Sequence, residues 1–160
     1  MNPGKILAAK ESGVYVLKFF GDVRLTLCAA LDTCLDDIIA YPDLKAVFID
    51  LTDAQCIDST TLGFMAKISI MTKRHFDWRP TIISTNEDIT KVLLSMCFDE
   101  VFTIVDLPLE KLTTLRQLPG REMSESEVKE KVLEAHKILM QLNEQNREKF
   151  KELVTILEAC

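Results

Sequence analysis

The sequence is poor in the residues that enzyme chemistry uses most often. Only two of its 160 residues are histidine, His75 and His136, and only one is tryptophan. Neither histidine has a second ligand at metal-binding spacing, so a zinc site is not expected. The segment singled out below contains no histidine, no nucleophile–base pair and no glycine-rich phosphate loop. These absences argue against an enzyme, and no cofactor is implied.

Basic runs and long apolar runs are also missing. Residues 1–118 carry 12 Lys and Arg against 16 Asp and Glu, and residues 119–160 carry 7 against 9. Because no basic block could replace the counterions of a phosphate backbone, nucleic acid is not expected as a partner. No apolar run approaches the roughly 20 residues that span a bilayer, so no membrane segment is expected. The first ten residues also lack the apolar segment of a signal peptide, and a cytoplasmic location is predicted.

The cysteines form no recognisable framework. There are five, an odd number, and no two are spaced as CxxC. Each of the first four (Cys28, Cys34, Cys56 and Cys97) lies among apolar residues. This pattern predicts free thiols that act as small buried hydrophobic residues in a reducing compartment.

Apolar residues make up 48% of the chain, which is enough for a packed core. An opening hairpin is expected from two strands joined by Ser12-Gly13, followed by alternating helices and strands. The predicted strands are 5–10, 14–20, 45–51, one beginning at 80, and 101–105. The predicted helices are 25–40, 59–76, 87–96 and 109–118. The fold class predicted is α/β, with a small mixed sheet on which helices pack.

The C-terminal part is predicted to be a helical extension. Pro119-Gly120 breaks the preceding pattern, so the domains expected are 1–118 and 119–160. Ser124 and Glu127 form a capping box, and a single long helix is predicted over 124–159. Its apolar stripe could pack on its own domain, dock a partner or form a coiled-coil dimer. Packing on its own domain is the favoured prediction.

The most informative segment is FIDLTDAQCIDSTTLGFMAKI, residues 48–68. A buried strand is followed by an acidic loop at 52–58, which places Asp58 and Ser59 at the start of a helix. The hydroxyl of Ser59 is expected to be exposed over free backbone N–H groups, a position that holds phosphate well. The simpler interpretation is that Ser59 is only the N-cap of the helix.

This segment resembles the signature of STAS domains, in which a hydrophobic strand and DLS-like residues precede a loop ending in DSSGLG. The matching residues are Asp50-Leu51-Thr52 and the run from Asp58 to Gly63. Gly21-Asp22 and the stretch 89–106 extend the resemblance, which covers about residues 5–118. Two residues depart from the pattern, because Thr61 and Cys97 stand where the family commonly has glycine.

The resemblance implies the function of an anti-sigma factor antagonist with a STAS (SpoIIAA-like) fold. Ser59 falls on the serine that anti-sigma kinases phosphorylate, and Thr60 on an adjacent hydroxyl position that would be a minor site. The residues implied in partner binding are Asp22, Asp58, Ser59, Thr60, Thr61, Leu62 and Gly63.

The implied partners are an anti-sigma factor that is a serine kinase of GHKL type, and a PP2C-type phosphatase. The kinase would bind when Ser59 is unmodified and be released when Ser59 carries phosphate, which regulates transcription. Another regulator could bind through the C-terminal helix.

Two other interpretations remain. One is a STAS scaffold or sensor that is never phosphorylated and binds another signalling protein. The other is a receiver domain with Asp50 as phosphoacceptor. The receiver interpretation is disfavoured because the chain opens with a hairpin, no acidic pair follows the first strand and no lysine follows the last.

Overall fold

The strands and helices alternate after an opening hairpin, as the sequence predicts. The computed structural model describes residues 3–107, 116–120 and 122–159. The strands are β1 (Lys5–Glu11), β2 (Val14–Val23), β3 (Ala46–Ile57), β4 (Thr81–Ile83), β5 (Thr103–Val105) and β6 (Arg116–Gln117). The helices are α1 (Cys28–Ala40), α2 (Ser59–Phe76), α3 (Glu87–Ser95), α4 (Glu125–Leu142) and α5 (Glu144–Ala159).

The strands form one mixed sheet in the order β5-β4-β3-β2-β1-β6. β1 pairs antiparallel with β2, and β2 to β5 run parallel to one another. Ser12 and Gly13 both have positive φ, 52° and 84°, which suits the tight two-residue turn between β1 and β2. The predicted central strand is confirmed, since β3 lies between β2 and β4 and its Ile49 and Leu51 are fully buried.

Two of the predicted strands are longer than expected. β2 continues to Val23 and β3 to Ile57, so the loop predicted at 52–58 is wrong for most of its length. The two extensions pair with each other, with Asp22 opposite Cys56 and Val23 opposite Ile57. Their backbone groups are satisfied by this parallel pairing, which the polar side chains of the segment do not reveal.

The helix predicted at 109–118 is wrong at its end. Residues 108–115 lie outside the described part of the chain, while 116–117 form β6 and pair antiparallel with Leu7 and Ala8. The next residue, Leu118, donates its backbone N–H to the carbonyl of Ile6 at 2.7 Å and is buried. Edge pairing with β1 therefore prevails over the local helical pattern.

The single C-terminal helix is also wrong, because the chain breaks at Asn143 into α4 and α5. Asn143 is extended, and its side-chain oxygen accepts from the backbone N–H of Asn146 at 2.8 Å, which starts a new helix. Asn146 is fully buried and donates to the carbonyl of Met96 at 2.8 Å. The asparagines that interrupt the apolar stripe thus turn the chain and attach the start of α5 to the C-terminal end of α3. We call α4 and α5 together the C-terminal helix pair.

The predicted packing of this extension on its own domain is confirmed. α4 lies along α2, and Ala135 and Leu139 on α4 are fully buried in the main core. The ring of His136 packs edge-on against Phe150 of α5 at 5.0 Å. The predicted capping box of Ser124 and Glu127 is present at the start of α4.

The cysteine prediction holds for all but one of the described thiols. Cys28, Cys34, Cys56 and Cys97 are not in disulfides and three of them are buried, but Cys56 is exposed, because it lies on the polar end of β3. Cys160 lies outside the described residues. Within the described ranges, no helix is long and apolar enough to cross a membrane, and no three His, Cys, Asp or Glu residues cluster as metal ligands would.

Candidate functional site

Asp58, not Ser59, is the N-cap of α2. Its Oδ1 accepts from the backbone N–H of Thr61 at 2.7 Å, and Ser59 is the first residue of the helix. The interpretation of Ser59 as a helix cap is therefore wrong. An aspartate preceding the helix is as good a cap as serine, so the local sequence could not distinguish the two.

Asp58 also joins α2 to the end of β2. Its Oδ2 accepts from the backbone N–H of Leu25 at 3.0 Å, and its own N–H donates to the carbonyl of Val23 at 3.4 Å. Asp22 lies just before this junction, where its carboxylate binds the guanidinium of Arg24 at 2.7 Å. The structure thus brings Asp22, Asp58 and Ser59 to one end of the sheet.

Ser59 is half-buried and hydrogen-bonded to a residue that the sequence did not associate with it. Its Oγ lies 2.8 Å from Nε2 of His136, which comes from α4, 77 residues further along the chain. The other ring nitrogen, Nδ1, lies 2.7 Å from the carbonyl oxygen of Val132. The prediction of an exposed hydroxyl at Ser59 is therefore wrong, and a histidine contacts it although the segment 48–68 contains none.

The remaining predicted partner-binding residues are buried within the chain. Thr60 is 5% exposed, Leu62 is 1% exposed, Thr61 is fully buried, and Gly63 is buried as well. Part of the reason is the packing of α4 on this end of α2. Of these residues, Gly63 contacts α4, whereas Thr61 lies against Cys28 of α1 and Leu62 lies beside Ile57 and Ile89. A partner could therefore contact these residues only after a rearrangement.

At Gly63, α2 and α4 approach each other closely. A Cβ added at Gly63 would lie 2.5 Å from both the Cβ and the carbonyl oxygen of Ala135, and 2.6 Å from its Cα. No real side-chain carbon is tolerated at such distances. The glycine of the DSTTLG run therefore permits α4 to pack backbone to backbone on α2.

Charged side chains reinforce the contact between α2 and α4. Lys67 binds Asp32 of α1 at 2.9 Å and Glu134 of α4 at 2.7 Å, and Lys131 of α4 reaches the same Asp32 at 3.1 Å. Burial lowers the pKa of Lys67, but the two carboxylate hydrogen bonds outweigh it and the net pKa is raised. Both lysines also lie over the ring of Phe64, at 5.6 and 5.1 Å from its centroid.

The comparison with solved structures identifies the fold. SpoIIAA, an anti-sigma factor antagonist solved in its unphosphorylated form, superposes with a TM-score of 0.52 and 12% identity over 65% of this chain and 89% of SpoIIAA. An anti-sigma factor antagonist from Mycobacterium paratuberculosis gives 0.53 and 16% over 66% and 87%. A Thermotoga maritima protein described as a candidate antagonist gives 0.54 and 21% over 62% and 85%. This chain has the STAS fold.

The likeness is structural. No protein-family model matches the sequence, and no curated protein is significantly similar to it. The superposed part is the STAS fold, and the C-terminal helix pair lies beyond it. The element that contacts Ser59 is thus an addition to the shared fold.

The two departures from the STAS signature have different consequences. Thr61 fits an ordinary helical position, where its hydroxyl lies 3.9 Å from the thiol of Cys28. Cys97 has φ of 61°, in the left-handed region that glycine adopts without strain. Its side chain is nevertheless buried and lies 3.6 Å from the amide oxygen of Gln145 on α5. Cys97, which stands where the STAS resemblance implies glycine, thus lies at a point that the C-terminal helix pair contacts.

Cys56 is expected to react with iodoacetamide far faster than Cys28 in the folded protein. Burial raises the pKa of the Cys28 thiol to about 12, and the thiolate is the reactive form, whereas Cys56 is exposed. Brief labelling at pH 8 followed by peptide mass spectrometry should find the adduct on Cys56. Buried Cys34 serves as the matched control, and urea should make all three reactive. Equal labelling of Cys28 and Cys56 in the folded state would show that the start of α1 opens.

Proposed function

We propose that this chain is a phosphorylation-switched protein-binding module that acts as an anti-sigma factor antagonist. The observation that carries the proposal is the position of Ser59, which opens α2 directly after the capping Asp58 in a STAS fold. Free N–H groups and the positive end of the dipole of α2 favour a phosphate there. The residues proposed to contact the partner are Asp22 and Asp58 to Gly63, and the buried ones among them, Thr60 to Gly63, are reached only after a rearrangement.

In the switch, the unmodified chain binds an anti-sigma factor that is a serine kinase of GHKL type, and so frees a sigma factor. The kinase transfers the γ-phosphoryl group of a nucleoside triphosphate to Oγ of Ser59, while the diphosphate leaves and the hydroxyl proton is released. The phosphate adds about −1.5 to −2 charges beside Asp58, which repels a surface that fitted the bare serine. A PP2C-type phosphatase hydrolyses the phosphoserine and restores binding.

The proposed division of labour follows the two parts of the chain. Residues 1–118 act as the STAS domain, and 119–160 act as an extension that can present a surface to a further regulator. The module itself performs no catalysis, since the group transfers belong to its partners. Such partners place the chain in the cytoplasm.

Phosphorylation mapping tests this function directly. Protein purified from its own host is expected to carry one phosphate on Ser59, seen by intact mass and peptide sequencing. The phosphate should be absent from Ser59→Ala. It should be retained in the matched control Ser124→Ala, which removes an exposed serine at the start of another helix. Pull-downs with Ser59→Ala should retain the partner kinase, and those with Ser59→Asp should lose it.

A STAS scaffold that is never phosphorylated is the second proposal, and the half-burial of Ser59 favours it. A kinase needs to reach the hydroxyl, which here is bonded to His136. If the protein stays unmodified while candidate kinases are overproduced, the switch is excluded. The scaffold proposal then stands, and proteins that bind the STAS surface constitutively should be sought. Thr60, which is 5% exposed, would be a still less accessible acceptor.

A further inference from the structure

The C-terminal helix pair covers the face of α2 on which Ser59 lies. Ser59 and Gly63 are four residues apart, so they occupy the same face of the helix one turn from each other. Each contacts a neighbouring residue of α4: Ser59 binds His136, and Gly63 meets Ala135. A single turn of α4 therefore contacts both the acceptor Ser59 and Gly63.

The hydrogen bonds around His136 define which group donates to which. The carbonyl of Val132 can only accept, so Nδ1 of His136 carries the ring proton and donates to it. In the neutral ring Nε2 then has only a lone pair, and it accepts from the hydroxyl of Ser59. With a neutral ring, the contact between α4 and Ser59 therefore uses the serine hydroxyl as the donor.

A phosphoserine cannot make the same contact. Its oxygens carry no proton to donate to Nε2 of a neutral ring, and they would have to fit into a pocket where His136 is 2% exposed. The phosphate also needs volume between two helices whose spacing is fixed one turn away by the contact of Gly63 with Ala135. The carboxylate of the preceding residue, Asp58, is held in place because it accepts hydrogen bonds from two backbone N–H groups.

We infer that docking of the C-terminal helix pair and phosphorylation of Ser59 are mutually exclusive, so that the helix pair is a cover over the switch site. The inference rests on the proposed function of Ser59 and adds its regulation. Because coupling between two events is reciprocal, undocking of the helix pair exposes Ser59, and a phosphate on Ser59 drives undocking. Undocking also uncovers the apolar residues of α4 that are now buried: Ala135, Ile138 and Leu139.

The test is hydrogen–deuterium exchange on the full chain with phosphoserine installed at position 59 during translation. The amides of residues 125–159 should exchange at least ten-fold faster than in the unmodified protein, while those of β1 to β3 stay protected. Ser59→Ala is the neutral control, in which the helix pair remains docked because only one hydrogen bond is lost. Because the phosphoserine is installed during translation, the result does not depend on whether any host kinase recognises Ser59.

Ala135→Leu provides the second variant, since it pushes α4 off Gly63 without altering the STAS domain. It should accelerate exchange over 125–159 as phosphoserine does, and the two changes together should add nothing further. Gln141→Leu, on the exposed side of the same helix, should have no effect.

Three outcomes would overturn the inference. Unchanged protection of 125–159 in the phosphoserine protein would mean that the phosphate is accommodated beneath α4. Acceleration over β1 to β3 as well would mean that the domain unfolds instead of uncovering. Additive effects of phosphoserine and Ala135→Leu would mean that they open the chain in different ways.

Discussion

Replacing Gly63 by alanine is expected to destabilise the protein by about 2 kcal/mol, within the range for overpacking a tight contact. The sign is the informative part, because alanine normally stabilises a helix interior by about 1 kcal/mol relative to glycine. At Gly63 the added methyl would lie 2.5 Å from the Cβ and the carbonyl oxygen of Ala135. Since backbone atoms cannot turn aside as a side chain can, α4 has to shift. Urea unfolding of the full chain measures the change in the free energy of unfolding.

The control for Gly63→Ala lies in the same helix. Arg74 is exposed on α2, so the difference between Arg74→Ala and Arg74→Gly gives the ordinary preference of this helix for alanine. That pair should favour alanine by about 1 kcal/mol, opposite in sign to the effect at Gly63. If Gly63→Ala is also stabilising, α4 does not press on α2 in solution, and the cover over Ser59 is not formed.

Asp58→Ala is expected to cost about 3 kcal/mol, since it removes a helix cap and a second charge-assisted hydrogen bond. The cap to Thr61 N–H fixes the start of α2, and the bond to Leu25 N–H fixes the chain that leaves β2. Asp58→Asn should cost less free energy of unfolding than Asp58→Ala. The one acceptor oxygen of the amide keeps one of the two N–H bonds, whereas alanine keeps neither. Thermal or urea unfolding of the three proteins measures the series.

Asn86→Ala is the matched control for this series. Asn86 caps α3 through the backbone N–H groups of Asp88 and Ile89, but it joins no second element. Its loss should cost about 1 kcal/mol, the usual value for a cap alone. If Asp58→Ala costs no more than Asn86→Ala, the bond to Leu25 contributes nothing to stability, and Asp58 would then be free to serve a partner.

These two substitutions separate two roles that the DSTTLG run combines. Asp58 acts within the STAS domain, where it sets the position of Ser59. Gly63 acts at the boundary with the C-terminal helix pair, where it sets how closely α4 approaches. A STAS fold without the added helices would leave the Ser59 face of α2 open at this point. The extension therefore changes the access to the site while leaving the residues of the site in place.

Local patterns determined most of the strands and helices. The Ser12-Gly13 turn, the buried apolar strand up to Leu51 and α2 beginning at Ser59 all follow from short-range rules of turn, burial and capping, and all are present, although β3 continues beyond Leu51. Neighbouring residues decide these features. The resemblance around Asp58 to Gly63 also indicated the fold, which the solved structures share.

Only the tertiary structure decided what contacts Ser59. The extension of β3 to Ile57 needs the edge of β2, and β6 needs the edge of β1, because strands satisfy their backbone groups on other segments. The chain turns at Asn143, and α5 begins beside the C-terminal end of α3. α4 lies along α2, with His136 against Ser59. No local pattern joins two residues 77 positions apart. The sequence by itself determined which residue is the candidate switch, and long-range packing determined that the switch is covered.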